Sequence, residues 1–463
     1  MKLFSACFFF PSFLAFLFLS CASTGKVYKT IDNAVYQNDF ERGIAEIIIG
    51  QRKNKPIYPE KNAVSLFLDK GLLEHYAGNY SSSSRDLENA ERLIREAFTK
   101  SITADIASYI ANDNTKDYPG EDYEDIYLNV FNALNYYHNN NTEEAMVEIR
   151  KITMSSGKLD MLSRKYEEGN KFAAQHLLES LHSIGFMANL ELPRGEPVVF
   201  SDSALARYLS ALFYQGQRKE DDARIEFSKL YTAFNGNPKI YYHPIPNSVG
   251  EAQNVPQGKT RLNVIGFTGL SPVKEEKIYN QYFPFFKNPS LRYAQFKLPV
   301  LVKRPNVIDR IQVKINGEQS FDLELLEDMG AVSKETYNAR FANIFFKTYI
   351  RTIIKYAAAD AGSSARASRI NKNNGNEKAA WWLASLARSI AGKATADASE
   401  AADIRMGRYF PDKAYIGGIN LEPGIYSATI TFYNQGKVIA TDDFTELNVR
   451  ANALNLIEAA SLK

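Results

Sequence analysis

The stretch VSLFLDKGLLEHYAGNYSSSSRDLENA, residues 64–90, decides how the first half of the chain folds. Apolar and small residues recur in it at three-to-four spacing, Gly78 interrupts the pattern, and the same spacing resumes from Tyr80. That describes a helix, a tight turn and a second helix. Phe67 and Gly71 fall on the first helix, and Ser83, Leu87 and Ala90 on the second. Antiparallel helices interlock only where side chains leave room, so Gly71 and Ser83 mark the line of closest approach.

The helical pattern runs from Lys26 to about Phe234, with few β-branched alternations. In YLNVFNALNYYHNNNTEEAMVEIRKI (127–152), Ala133 and Ala145 flank the HNNN turn, with Tyr136 before it and Ile149 after it. In ARYLSALFYQGQRKEDDARIEFSKL (206–230), Ala211, Tyr214, Ala223 and Phe227 take those places, and NDFERGIAEIII (38–49) reads as one more second helix. These positions resemble those of a tetratricopeptide repeat, whose aromatic and small residues line a helical hairpin. The equivalent small residues Gly43, Ser83, Ala145 and Ala223 lie 40, 62 and 78 apart, against the roughly 34 of a regular repeat. Irregular TPR-like hairpins are expected, not a clean array.

NGNPKIYYHPIPNSVGEAQNVPQGK (235–259), rich in Pro, Gly and Asn, reads as a connector. Strands follow: RLNVIGF (261–267) is short and β-branched, and IQVKINGEQSFDLEL (311–325) alternates on both sides of Asn316-Gly317, a strong hairpin signal. In GIYSATITFYNQGKVIAT (424–441), Ile425, Ser427, Thr429 and Thr431 alternate with Tyr426, Ala428, Ile430 and Phe432. A small β-sandwich is the economical solution.

A helical segment over about 333–403 interrupts those strands. Phe341, Phe345, Tyr349, Ile353 and Ala357 form an apolar stripe, opposite Lys347, Arg351 and Lys355. Its partner, EKAAWWLASLARSIAGKA (377–394), carries Trp381 and Trp382. A core-facing hairpin is the first reading. A secondary membrane or partner contact by 333–403, through the basic stripe and the tryptophans, is the second.

The expected fold class is therefore α+β. It comprises a leader over 1–20, a TPR-like helical domain with its connector over 21–258, a β-rich region over 259–332, a helical hairpin insertion over 333–403, and completing strands over 404–463.

The leader carries one charge, Lys2, before the apolar run FFFPSFLAFLFL, too short to span a bilayer as a helix and placed as an export signal is. The chain has two cysteines, Cys7 within the leader and Cys21 just after it. Cleavage before Cys21 leaves one thiol and no intramolecular disulfide. Three roles are open to it: a free or buried thiol, half of an intermolecular disulfide, or an acylated N-terminus. FLSC, with Phe18 in the first position, resembles the lipobox of bacterial lipoproteins, which implies lipid attachment at Cys21. Two or three acyl chains, at about 0.8 kcal/mol per buried methylene, hold such a protein essentially permanently on a membrane. Ala22 replaces the Asp that favours inner-membrane retention in enterobacteria, so the outer membrane is the expected destination, with the chain facing the periplasm or the surface.

A wider resemblance rests on YPGEDYEDIYLNVFNALNYY with TEEAMVEIRK, on ARYLSALFYQGQRKEDDARIEF, and on EAADIRMGRYFPDKAYIGGINLEPGIY. Together these are similar to an uncharacterised family of bacterial TPR-like envelope lipoproteins. An Ala-Asp-x-Arg-x-Trp-x-x-Leu-Pro stretch precedes a strand in that family. Ala402, Asp403, Arg405, Phe410 and Pro411 keep its frame here, with Gly407 in place of the Trp. The resemblance implies an envelope role beside export channels or activators of peptidoglycan synthesis.

Charge points the same way. With 55 Lys and Arg against 53 Asp and Glu, and +1 after loss of Lys2, there is no field to gather nucleic acid or an anionic membrane. Catalytic patterns fail on their companions. QGKT (257–260) lacks the upstream glycine of a P-loop, and Ser155/Lys158 and Ser271/Lys274 match Ser-x-x-Lys without the Ser-Asp-Asn or Lys-Thr-Gly that would support it. His75, His138, His176, His182 and His243 show no metal-ligand spacing, and no cofactor motif is found. Glu121, Asp122, Glu124 and Asp125 read as a solvated helix start. The expected function is a noncatalytic, membrane-anchored scaffold for envelope proteins. Tyr76, Tyr80, Tyr136, Tyr137, Tyr208 and Tyr214 are its candidate partner-binding aromatics, with helix packing as their alternative fate. A second reading is an envelope enzyme or glycan-binding protein with a cleft between the helical and β regions.

Overall fold

The computed structural model describes residues 24–102, 113–154, 159, 200–282, 293–363 and 401–463. The leader, Cys21, His176, His182, Ser155/Lys158 and the Trp381/Trp382 half of the helical insertion lie outside the described residues.

Among the described residues, four antiparallel helix pairs come first. They are α1 (Thr24–Tyr36) with α2 (Phe40–Gln51), α3 (Ala63–Tyr76) with α4 (Tyr80–Ile102), α5 (Glu124–His138) with α6 (142–154), and α7 (Ala204–Gly216) with α8 (Glu220–Gly236). One turn closes all four. A residue in the left-handed region sits at its centre: Asn38, Gly78, Asn140 and Arg218, with φ of 58°, 79°, 58° and 57°. The following amide returns to the first helix five residues back, as in Asp39 N to Ala34 O, Asn79 N to Glu74 O, Asn141 N to Tyr136 O and Lys219 N to Tyr214 O. This closure satisfies carbonyls that a helix end leaves open.

Four residues past each turn-closing residue stand Gly43, Ser83, Ala145 and Ala223, all buried. A larger side chain at Gly71 would meet Leu87, since a Cβ there lies 2.8 Å from Leu87 Cδ2. The small residues are thus where the paired helices touch.

Among the described residues, ten strands form three sheets. The central sheet has the order β10 (Asn455–Ser461), β1 (Thr260–Thr268), β7 (Lys413–Leu421), β6 (Glu324–Asp328), with β10 parallel to β1 and the other pairs antiparallel. The outer sheet has the order β5 (Gln319–Asp322), β4 (Arg310–Ile315), β8 (Gly424–Asn434), β9 (Lys437–Val449). A separate ribbon pairs β2 (Val273–Tyr282) with β3 (Tyr293–Val302). The strands of 259–332 and 404–463 therefore share sheets across the insertion between them.

Every residue of β1 is buried. Leu262 and Val264 pack with Ile311, Val313, Ile430 and Phe432 of the outer sheet, giving the sandwich its apolar core. Ile265 and Phe267 point to the other side, into a core shared with Phe131, Leu134, Leu205 and Leu209 of the helices. The result is three layers: helices, central sheet, outer sheet. Among the described residues, the helical and β regions share one apolar core.

Within the pairs, α3, α5 and α7 lie inward, while α4, α6 and α8 carry the exposed positions. The connector 235–259 is also part of this body. It contains α9 (Asn247–Gln253), and Ile240, Tyr241 and Val249 are buried.

The insertion begins earlier than expected, as α10 (Met329–Ser363) directly after β6, where Asp328 Oδ1 accepts from Ala331 N at 2.7 Å. Phe341, Phe345 and Tyr349 are buried, and Phe345 meets Phe296 of β3 at 6.1 Å between ring centroids. On the opposite face, Lys347 is half-buried and Arg351 turns toward Asp113 at 3.9 Å, while the side chain of Lys355 lies outside the described residues.

Candidate functional site

Residues 401–412, AADIRMGRYFPD, form a buried strap between helices and sheets. Arg405 is held by Asp403 at 2.8 Å and donates to the carbonyls of Lys116, Asp113 and Lys61 at 2.7, 2.8 and 3.1 Å. Gly407 N donates to Glu124 Oε1 at 2.6 Å, and Arg408 N to Asp69 Oδ1 at 2.5 Å. The Arg408 side chain reaches Asp32 at 2.9 Å and lies over the Tyr28 ring at 4.1 Å. Tyr409 Oη donates to Asp32 at 3.1 Å, and the Tyr409 carbonyl accepts from Tyr76 Oη at 3.2 Å. Phe410, fully buried, sits among Tyr123, Tyr127 and Phe131, and its carbonyl accepts from Ser271 N at 2.9 Å.

The strap draws carboxyl groups inside. Burial, reinforced by the neighbouring Glu121, pushes Glu124 up to about 8. Burial pushes Asp69 up to about 7 despite hydrogen bonds from Tyr58 and Arg408. Glu121 moves the other way: burial opposes it, but Lys274 and Arg340 hold the carboxylate low. The acidic run expected to be a solvated helix start therefore has two enclosed members, Glu121 and Glu124, because the strap and β2 pack over it. Lys274 of the Ser271/Lys274 pattern is the ion-pair partner of Glu121.

A second cluster ties β10 to the helices. Glu458 lies between Leu456 and Ala460 on the helix-facing side of the strand, and its Oε1 meets His138 Nε2 at 2.7 Å and His75 Nε2 at 3.2 Å. His75 Nδ1 meets Asn135 Oδ1 at 2.7 Å, and Asn135 donates to Ser83 Oγ at 2.8 Å. Burial alone would raise Glu458, but the two imidazoles hold it well below the carboxylate range. Among the described residues, no group of three His, Cys, Asp or Glu could hold a metal ion.

A further buried carboxyl, Glu327, accepts from Ser203 Oγ at 2.9 Å, Leu205 N at 2.6 Å and Tyr127 Oη, and burial pushes it up to about 7. These groups join segments of the chain more than a hundred residues apart.

A groove of about 420 Å³ runs between the first turns of α4 and the α5–α6 turn, lined by Ser81, Ser84, Arg85, Glu88, Tyr136, Asn139 and Asn141. Tyr136 Oη donates to Glu88.

The candidate tyrosines divide. Tyr136 lines the groove, Tyr80 stacks on His138 at 4.5 Å with one edge open, and Tyr214 is half-buried beside Lys219. Tyr76 is bonded to the strap, and Tyr137 bridges β10 by donating to Leu454 O at 3.2 Å and accepting from Leu456 N at 3.0 Å. Tyr208 is 0% exposed, its hydroxyl 3.4 Å from Asn263 of β1. Tyr208 therefore leaves the partner-facing set, because its helix is the inner one of its pair.

Sequence reasoning missed His75, His138 and Glu458 as a unit. The available signal was a charge at an apolar position of the strand NLIEAAS.

No family model, curated protein or solved structure matches the chain. Among the described residues, no helix is long and apolar enough to cross a membrane.

Proposed function

We propose that this chain is a noncatalytic binding scaffold of the bacterial cell envelope, anchored by acyl chains on Cys21 and engaging envelope proteins through its helical layer. The observation that carries the reading is the layer itself. Four helix pairs closed by one turn pack with their inner helices on the central sheet, and this leaves the outer helices facing away. Such stacked pairs present a continuous surface to a partner helix or peptide. Tyr80, Tyr136 and Tyr214 stand on the partly open side as rigid aromatic anchors. Ile49 and Ile225 of the outer helices are exposed beside polar neighbours. The leader and lipobox pattern supports the address, and the family resemblance supports an export or peptidoglycan-related setting.

Photo-crosslinking groups placed at Ile49, Ile225 and Tyr214 in native membranes test the reading. One recurrent protein adduct, identified by mass spectrometry, is the expected outcome. Membrane-associated protein that yields no adduct at any position overturns it. Fatty-acid labelling that persists in Cys21→Ala overturns the anchor separately.

A further inference from the structure

We infer that the exposed face of the β2–β3 ribbon is the docking surface for residues 377–394, the tryptophan-bearing segment of this same chain. The inference goes beyond the scaffold reading and does not rest on it.

Side chains alternate along a strand, so the ribbon has two faces. Tyr279, Phe296 and Leu298 share one of them, and α10 covers it: Phe296 and Leu298 are buried, and Phe345 meets Phe296 at 6.1 Å. Lys274, Glu276, Ile278 and Tyr282 stand on the other, with Lys297 opposite Ile278 and Tyr293 opposite Tyr282. That second face is apolar and open toward its outer end. Ile278 is 51% exposed, Tyr282 43% and Tyr293 69%, and the two tyrosine rings lie 5.0 Å apart.

The path of the chain selects the occupant. The strap begins on this second face, at its inner end. Met406 Sδ accepts from Lys274 N at 3.0 Å, and four residues earlier Ala402 N donates to Glu276 Oε2 at 2.9 Å. Followed backwards, the strap therefore moves outward along β2, in the direction of Ile278.

The other end of the missing stretch lies beyond the ribbon's outer end. Tyr337 Oη donates to Pro299 O and Phe345 meets Phe296, so α10 runs outward along β3. At Arg351 it is level with Asp113, whose neighbour Asn114 donates to Ala401 O at 2.8 Å. From there it continues to Ser363, about 18 Å further at 1.5 Å per residue. Residues 364–400 thus leave past the tip on the α10 side and return to the base on the opposite face. The return route is the open face itself.

Reach and composition fit residues 377–394 to that route. The link 395–400 spans at most about 20 Å when extended, and Tyr282 lies about 20 Å along β2 from Glu276. Trp381, Trp382, Leu383, Leu386 and Ile390 give the segment the apolar side chains, and tyrosine rings offer indoles a flat contact. Tethering through so short a link gives the segment an effective concentration in the millimolar range, above that of any second copy or free partner.

Trp381 and Trp382 are the two tryptophans of the chain, so intrinsic fluorescence reports on this segment alone. The full chain carrying Cys21→Ala keeps detergent out of the sample. Its emission should lie to the blue of N-acetyltryptophanamide in the same buffer and resist acrylamide. Ile278→Asp combined with Tyr293→Asp should move the emission to the red and raise the quenching constant at least about twofold, because an unpaired charge is not buried against an apolar segment. A circular-dichroism spectrum and thermal midpoint like those of the parent show that this variant folds, and Ile425→Asp on the open face of β8 should leave the emission unchanged. A benzoylphenylalanine at position 293 of the otherwise unaltered chain, activated in dilute solution, should attach within 377–394. Parent emission equal to that of the free indole overturns the inference. So does a blue shift that appears only on adding phosphatidylethanolamine–phosphatidylglycerol vesicles, which makes the membrane the occupant. Adducts that join two copies, or none within 377–394, overturn it as well.

Discussion

The two faces of the central sheet are held by different chemistry. Toward the outer sheet, Leu262, Val264, Ile311, Val313, Ile430 and Phe432 make an apolar core. Toward the helices, an apolar core of comparable depth is threaded by buried charge: Glu458 with two histidines, Glu327 with three donors, and the strap's contacts to Asp32, Asp69 and Glu124. An apolar interface tolerates sliding between similar shapes. A buried carboxylate tolerates only the arrangement that supplies its donors, because an unpaired charge in the interior costs several kcal/mol. The outer interface therefore supplies stability, and the inner one fixes which helix meets which strand.

The difference can be broken from either side. The largest effects are expected from emptying each core. Phe410→Ala in the strap and Phe432→Ala in the sandwich should each cost about 3–5 kcal/mol by urea unfolding. Their pH responses should separate them, since Phe432 packs in the apolar core of the sandwich while the strap that holds Phe410 bonds the buried carboxyls Asp69 and Glu124.

Next comes Glu458→Gln, at a cost of about 3 kcal/mol near pH 6. Burial opposes the charge on His75, but Glu458 outweighs it and raises the His75 pKa above its ordinary 6.5. That stabilisation is complete below about 6.5 and is lost as pH rises through the folded value. The depressed pKa of Glu458 contributes above its ordinary 4.5 and is lost as pH falls. The difference between parent and variant should thus be greatest between about 4.5 and 6.5 and shrink on both sides, as read from unfolding curves across pH 4–9.

The raised carboxyls give a third, opposite sign. Asp69 and Glu327, pushed up to about 7, and Glu124, pushed up to about 8, favour the protonated form in the fold. Stability should fall as pH rises from about 4.5 toward 7–8, at a slope of up to roughly 1.4 kcal/mol per unit for each such group, and level off once all three have ionised in the fold. A profile with no such fall between about pH 5 and 7 in the parent, relative to a variant with Asp69→Asn, Glu124→Gln and Glu327→Gln, would contradict their enclosure.

The smallest effects are local. Gly78→Ala, at a φ of 79°, should cost about 1 kcal/mol. Ile425→Thr, on the open face of β8, should stay within about 0.5 kcal/mol in a thermal melt.

The same contrast explains what could be read in advance. Alternation over 424–434 determined which face of β8 is buried, and Ala428, Ile430 and Phe432 are indeed the enclosed set. Asn316 and Gly317 hold positive φ of 50° and 74° in their turn. Gly43, Ser83, Ala145 and Ala223 stand at one position of four equivalent turns although their spacing along the chain is irregular. Such features are local, and apolar periodicity reports them. The inner interface is not local: Arg408 meets Asp32 across 376 residues, and Glu458 meets His138 across 320. A charge reads as exposed until its partner is known, which is why Glu121 and Glu124 were expected in solvent and Tyr208 in a groove. Of the candidate site, Tyr136 was legible as an aromatic near a turn. The hydroxyls and amides beside it were not, since Ser81 and Asn141 look like ordinary turn residues until α4 and α5 are set side by side.

The central claim is that helices and sheets form one body locked by the strap. Pulse-labelled hydrogen exchange across a urea transition tests it most directly, comparing peptides from α3 and α5, from residues 401–412, and from β8 and β9. The account predicts that all lose protection at one urea concentration. Loss from α3 and α5 at clearly lower urea, with β8 and β9 still protected, would contradict it.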